Sequence, residues 1–258
     1  MTAATRLESI YMKLDLIAFG VHPDDIELSC SGTLLVEKQR GRKVGVIDLT
    51  RGELGTRGDA ETRRTEAKAS AEILGLDMRE NLEMADGFFE NNEENKRKII
   101  RALRTYRPEI IICNAIDDRH PDHGRSARLV SDAAFLAGLI KIQTADDEGK
   151  DQAPWRPKYV FNYIQDLYLN PDFVMDISGV FETKLRSIEA FSSQFYVPAA
   201  HGRQGEPQTY ISSPEFLESV INRSKMFGRM IGVQYAEGFV SRKMVGIRSF
   251  DALIQQDT

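Results

Sequence analysis

Two runs of the chain, Leu14-Asp15-Leu16-Ile17-Ala18-Phe19-Gly20 and Glu109-Ile110-Ile111-Ile112-Cys113-Asn114, are apolar with little alternation. That is the pattern of strands covered on both faces, as in parallel sheets. Lys43 to Thr50 reads as another such strand, and Leu82 to Phe89 as a short strand with a turn. Between them lie segments of helical composition: Ser31 to Gly41, Glu61 to Leu74 with a stop at Gly75, and Glu94 to Tyr106 ahead of Arg107-Pro108. Strand and helix in alternation predict an α/β fold built on a doubly wound parallel sheet. From Ile140 the pattern changes. Gln143 to Pro157 is a polar loop, Tyr159 to Ile164 and Phe173 to Ile177 are strands, and Val180 to Phe191 and Pro214 to Met230 are helices. This part is expected to pack on the sheet as a C-terminal α+β lobe. No linker divides it off, so residues 12–258 are expected to form a single domain. Residues 1–11 have no period and are expected to be a helical or frayed extension.

Composition narrows the function classes. The chain has 258 residues, is 41% hydrophobic and carries a net charge of −5, enough for a sizeable core but with no excess of cations to offset phosphates. Nucleic acid and anionic membranes are therefore not expected partners. Cys30 and Cys113 both lie beside apolar runs and read as reduced core residues. No apolar run has the length of a membrane span, and no signal peptide is read ahead of Leu14. A cytoplasmic enzyme is the expectation.

The candidate chemistry sits just after the two apolar runs. His22-Pro23-Asp24-Asp25 follows the first and His120-Pro121-Asp122-His123 the second, and together they hold three of the four histidines. Open α/β sheets build their sites at the carboxyl ends of strands. Hydrolytic zinc sites use three imidazole or carboxylate ligands and leave a position for water. His22 and Asp25, three apart at a strand-to-helix turn, and His123 are the candidate ligands. Asp24 is placed as the general base, and His120 as the acid and oxyanion stabiliser, with Asp122 to orient it and keep it cationic. A single His-Pro-Asp in a loop is ordinarily turn chemistry, Pro fixing φ and Asp capping the next helix. Two copies, each after a core strand, favour the site. His201, in a Gly-rich stretch, reads as a solvated or substrate-proximal residue rather than a ligand. A dinucleotide site is disfavoured, because two aspartates at the first strand-to-helix turn would repel a pyrophosphate. A non-catalytic carbohydrate-binding protein stays open as the alternative from another class.

Ala18 to Asp25 together with Asp118-Arg119-His120-Pro121-Asp122-His123 resembles the PIG-L/LmbE-like N-acetylglucosaminide deacetylases, from about Met12 to near the C terminus. Within that family the chain is most similar to the bacillithiol-pathway N-acetylglucosaminyl-malate deacetylases. The features are Asp48-Leu49-Thr50-Arg51-Gly52-Glu53, Ser193-Gln194-Phe195, Lys225-Met226-Phe227-Gly228 and Tyr235-Ala236-Glu237-Gly238-Phe239. The resemblance implies a Rossmann-like fold, zinc (or iron(II) or another divalent metal) on His22, Asp25 and His123, and the same roles for Asp24 and His120. It implies hydrolysis of the acetamide of N-acetylglucosaminyl-malate, or of another N-acetylated amino-sugar conjugate. It also implies a homo-oligomer, hexamers being common among close relatives. Arg63 and Arg119 match substrate-binding arginines, suited to the malyl carboxylates by the planar guanidinium fork. Alternatively Arg63 pairs with Glu66 or Asp59 on a helix surface. Some relatives carry a tyrosine near the position of Phe216, where this chain has no hydroxyl.

Overall fold

The computed structural model describes residues 12–197, 207–247 and 249–253, so the expectations for residues 1–11 and His201 fall outside it. The elements run β1 (Leu16–Gly20), α1 (Asp25–Ser29), α2 (Ser31–Gln39), β2 (Val44–Thr50), α3 (Ala60–Leu74), β3 (Met78–Met84), α4 (Glu93–Tyr106), β4 (Ile110–Cys113) and α5 (Pro121–Ala137). They continue as β5 (Tyr159–Tyr163), β6 (Phe173–Asp176), α6 (Phe181–Glu189), α7 (Pro214–Ile231) and β7 (Ala236–Ser241). One seven-stranded sheet has the order β3-β2-β1-β4-β5-β7-β6. The five strands from β3 to β5 are parallel, and β7 runs antiparallel to both β5 and β6.

The unalternating strands are covered on both sides, as their sequence requires. Ile17 and Phe19 of β1 pack with Ile99, Leu103 and Leu129 of α4 and α5. Leu16 and Ala18 face the opposite way, with Ile26, Cys30 and Leu34 from the α1–α2 segment. Alternate residues of one strand thus serve two cores. The strand order reverses direction at β1 and β4, so the two His-Pro-Asp loops leave adjacent strands at the switch point.

The C-terminal part is joined more closely than a lobe, because β5, β6 and β7 extend the same sheet. Strand β7 is inserted between β5 and β6, and its Glu237 is buried. The Glu237 carboxylate accepts from the main-chain N–H groups of Gly32 and Thr33 at 2.9 and 2.7 Å, in the first turn of α2. Lys184 of α6 donates to it at 2.8 Å. Among the described residues, no helix is long and apolar enough to cross a membrane.

Candidate active site

The turn after β1 is closed by Asp25. Its Oδ2 accepts from the N–H groups of Val21 and His22 at 2.9 and 3.0 Å and from Asn114 Nδ2 at 3.0 Å. Its Oδ1 accepts from Gln165 Nε2 at 2.9 Å and lies 3.2 Å from His123 Nε2. Burial would raise this carboxyl, but His123, His22 and Gln165 hold it well below the usual carboxylate range. Asp25 is therefore an anion locked in place with Oδ1 aimed at the second loop.

That loop is shaped by the start of α5. His120 is the N-cap, Pro121 takes the first turn where no N–H is needed, and His123 follows one turn in. His22 Nδ1 stands 3.8 Å from Asp25 Oδ2, but among the described residues the ligand atoms that come within 4.8 Å of one another are those of His22, His120 and His123, and those of His22, Asp86 and Asp122. The far nitrogen of His22 and of His123 meets a carboxylate, His22 Nε2 at 3.0 Å from Asp86 and His123 Nδ1 at 2.5 Å from Asp118. An imidazole backed by a carboxylate is what a metal-ligating histidine needs to fix its tautomer and basicity. Burial would lower the pKa of His123, but Asp25 and Asp118 raise it to about 10. The carboxylates around His123 thus favour positive charge at this ring, and the imidazoles and carboxylates gathered here are donors of the kind that divalent metal ions take.

His120 is different in kind. Its donor atoms lie within 4.8 Å of those of His22 and His123, but no carboxylate bonds its ring among the described residues. Its Nδ1 accepts the Asp122 N–H at 3.3 Å, which assigns the proton of the neutral ring to Nε2. Burial and the neighbouring His22 and His123 lower its pKa, outweighing Asp122 and Asp25. The Asp122 carboxylate makes no direct bond to the His120 ring, although its charge works to raise the His120 pKa. That carboxylate is spent elsewhere, accepting from Gly87 N–H at 2.9 Å and from Arg125 Nη1 at 2.8 Å.

Asp24 and Arg63 form a buried ion pair at 2.7 Å. Burial pushes Asp24 up to about 7, against the pull of Arg63. Arg63 also donates to Pro23 O at 3.0 Å and to Gln194 Oε1 at 3.3 Å. Its guanidinium lies flat against Gly52, where a Cβ would come within 2.8 Å of Nη1 and φ is +64°. Neither surface pairing expected for Arg63 occurs, since Glu66 bonds Ser193 and Asp59 caps α3. Arg119 is half-exposed, 2.5 Å from Asp166 and stacked 4.5 Å over Tyr210. Tyr210 stands edge-on to Phe216 at 5.4 Å, and its hydroxyl donates to Asp166 at 3.2 Å.

His22, Asp24, Asp25, His120, His123, Arg63 and Arg119 border one open cleft of about 420 Å³, together with Asp86, Gln165 and Tyr210. The contributions missed in the sequence are Asp86, Asn114, Gln165 and Tyr210. They are single polar residues in or near loops, with no spacing to mark them. Asp118 lies within the second motif, but nothing in the motif alone assigns it a role.

Residues 17–134 match the PIG-L family, described as GlcNAc-PI de-N-acetylase. The chain is 31% identical to the diacetylchitobiose deacetylase of Thermococcus kodakarensis over 229 residues, 84% of this chain and 79% of that protein. The crystal structure of a conserved protein from Thermus thermophilus superposes with a TM-score of 0.79 at 34% identity, covering 91% of this chain and 98% of that one. The 4-carboxy-2-hydroxymuconate hydratase of Pseudomonas putida KT2440 shares the fold, with a TM-score of 0.71 at 21% identity over 92% and 99% of the two chains.

Proposed function

Since the chain belongs to the PIG-L family of metal-dependent deacetylases, we propose that it removes the acetyl group of N-acetylglucosaminyl-malate in bacillithiol biosynthesis. Deacetylation of another N-acetylated amino-sugar conjugate is the neighbouring reading. The observation that carries an amide hydrolase is the pairing of two carboxylate-backed imidazoles with Asp25, beside the buried Asp24.

In this reading His22, Asp25 and His123 hold the metal, which when bound supplies a water of lowered pKa and polarises the acetamide carbonyl. Asp24 accepts the proton of the attacking water. A carboxyl near neutrality can both take a proton and return it, so Asp24 also delivers it to the leaving amine. His120 donates its Nε2–H to the carbonyl oxygen as negative charge builds there, a hydrogen bond that a neutral ring can make. Arg63 is assigned to hold Asp24 rather than to bind substrate. Asp122 fixes the Gly87 turn and, through its N–H, the ring of His120. Arg119 and Tyr210 form the outer wall toward the aglycone. The buried thiols Cys30 and Cys113 suit a cytoplasmic enzyme, and assembly as a homo-oligomer, up to a hexamer, belongs to the same reading.

The test is acetate release by the zinc-loaded protein from N-acetylglucosaminyl-malate, diacetylchitobiose and N-acetylglucosamine. The malyl conjugate should be turned over fastest. No acetate from any of the three would remove the deacetylase reading, and preference for diacetylchitobiose would remove the malyl one.

A further inference from the structure

Three of the arginines that border the cleft differ in how their charge is met. Arg63 is neutralised by Asp24 at 2.7 Å and Arg119 by Asp166 at 2.5 Å. Arg223, on α7, has no ion pair among the described residues. It is half-buried, and its described bonds go to main-chain carbonyls: Nη1 to Gln165 O, and Nη2 to Leu28 O at 2.9 Å. Two of its five N–H donors are used by those neutral acceptors.

The carboxylates that face it are already engaged. Asp166 binds Arg119 and Tyr210, Asp118 binds His123, and Glu237 binds Lys184 and the start of α2. Burial pulls the Arg223 pKa down against the opposing influence of those three groups and of Tyr210. A guanidinium held in a cleft by carbonyls alone keeps its charge and its fork geometry for a ligand.

We propose that Arg223 recognises a carboxylate on the aglycone of the substrate, and so sets the preference for acidic over neutral N-acetylglucosaminides. Its place fits this role. It grips the main chain of Gln165, whose side chain holds Asp25, so the guanidinium sits one residue away from the metal ligands without touching them. The chemistry selected is an organic acid on the sugar, and it rests on the deacetylase reading of the same cleft.

A matched pair of substrates isolates the charge: the carboxymethyl glycoside of N-acetylglucosamine and its methyl ester. With zinc-loaded protein, Arg223→Met should lower kcat/KM for the acid by about 10- to 150-fold, the loss expected for one charge-assisted bond. The ester should stay within a factor of about three. Arg223→Lys, which keeps the charge but not the fork, should retain part of the preference. Zinc content and unfolding temperature are followed in each variant. Equal losses on acid and ester, together with lost zinc, would overturn the proposal and make Arg223 a support for Gln165 and Asp25. Unchanged rates on both would overturn it as well. If the wild-type protein cleaved neither acetamide, the deacetylase reading would fail, and calorimetric titration with L-malate alone would decide. Binding weakened about tenfold or more in Arg223→Met would sustain the carboxylate site. Equal affinity of both proteins for malate, or none in either, would end it.

Discussion

Replacing Arg63 with alanine separates two roles for the same side chain. If Arg63 gripped a substrate carboxylate, the variant would lose acidic substrates selectively and fold normally. In the structure its partner is Asp24, with side chains 5% and 7% exposed. Where Asp24 is ionised, well above pH 7, removing its buried partner leaves an uncompensated charge, at a cost of about 3–5 kcal/mol. At roughly 2–4 °C per kcal/mol for a domain of this size, the unfolding midpoint should fall by about 6–20 °C. The cost has a definite pH dependence in metal-free protein. Burial already lifts Asp24 from 3.8 to about 7 in the fold, against the pull of Arg63, so without Arg63 it titrates higher still. A carboxyl raised in the folded state makes that state bind more protons, and stability falls with pH between the unfolded and folded values. For the wild type this fall ends near pH 7, whereas for the variant it continues. Other groups titrate in both proteins and cancel, so the stability gap opens above about pH 7 by up to about 1.4 kcal/mol per pH unit. Urea unfolding of chelated protein at about pH 6 and about pH 9 measures the gap, and kcat/KM of zinc-loaded protein on acidic and neutral substrates should fall in parallel. A gap independent of pH, combined with selective loss of the acidic substrate, would refute the assignment.

Chelation should abolish turnover and added zinc restore it, while His123→Ala should purify with clearly reduced metal; full occupancy would remove His123 from the ligand set. Asp24→Asn should keep its metal and lose at least about 100-fold in turnover, as expected for a missing general base. Asp118→Asn removes the carboxylate behind His123, and competition against a chromophoric chelator should show zinc bound about 10- to 100-fold more weakly. An unchanged affinity would mean that the 2.5 Å contact does not support the metal.

The parallel half of the sheet is readable because β1, β2 and β4 are apolar on both faces, and that pattern has few other meanings. Strand β3 is the exception. The apolar pattern predicts it over Leu82 to Phe89, but it runs from Met78 to Met84, where Arg79 and Asn81 break that pattern. Arg79 turns inward to Asp48 and Glu27, and Asn81 reaches Thr50 O, so its polar residues are satisfied at an edge rather than solvated. Helix formation after the first motif starts at Asp25 rather than Ser31 and is interrupted at Cys30. Strand β7 escapes the sequence pattern, since Gly238 and the buried Glu237 disguise it. The candidate ligands are legible for a simple reason: histidine is scarce in this chain, and strand ends are where α/β sites form. What stays hidden are tertiary partners, Asp86 behind His22, Asp24 as the counter-ion of Arg63, and Tyr210 beside Phe216. Such pairings depend on loop paths that no local pattern encodes.

The insertion of β7 between β5 and β6 sets an order of events during synthesis. Among the described residues, 236–241 leave the ribosome after all the other strands, yet β6 has β7 as its one sheet neighbour. Until they arrive, the open edge of β5 is exposed, β6 has nothing to pair with, and the first turn of α2 lacks the Glu237 carboxylate that satisfies its N–H groups. That turn closely follows the loop bearing His22 and Asp25. The parallel strands β1 to β5 are thus complete in sequence before β7, whereas the contacts that Glu237 makes with the start of α2 wait for it. A chain cut before residue 236 would lack the strand that joins β6 to the sheet, leave the edge of β5 unpaired and take the Glu237 carboxylate from the first turn of α2.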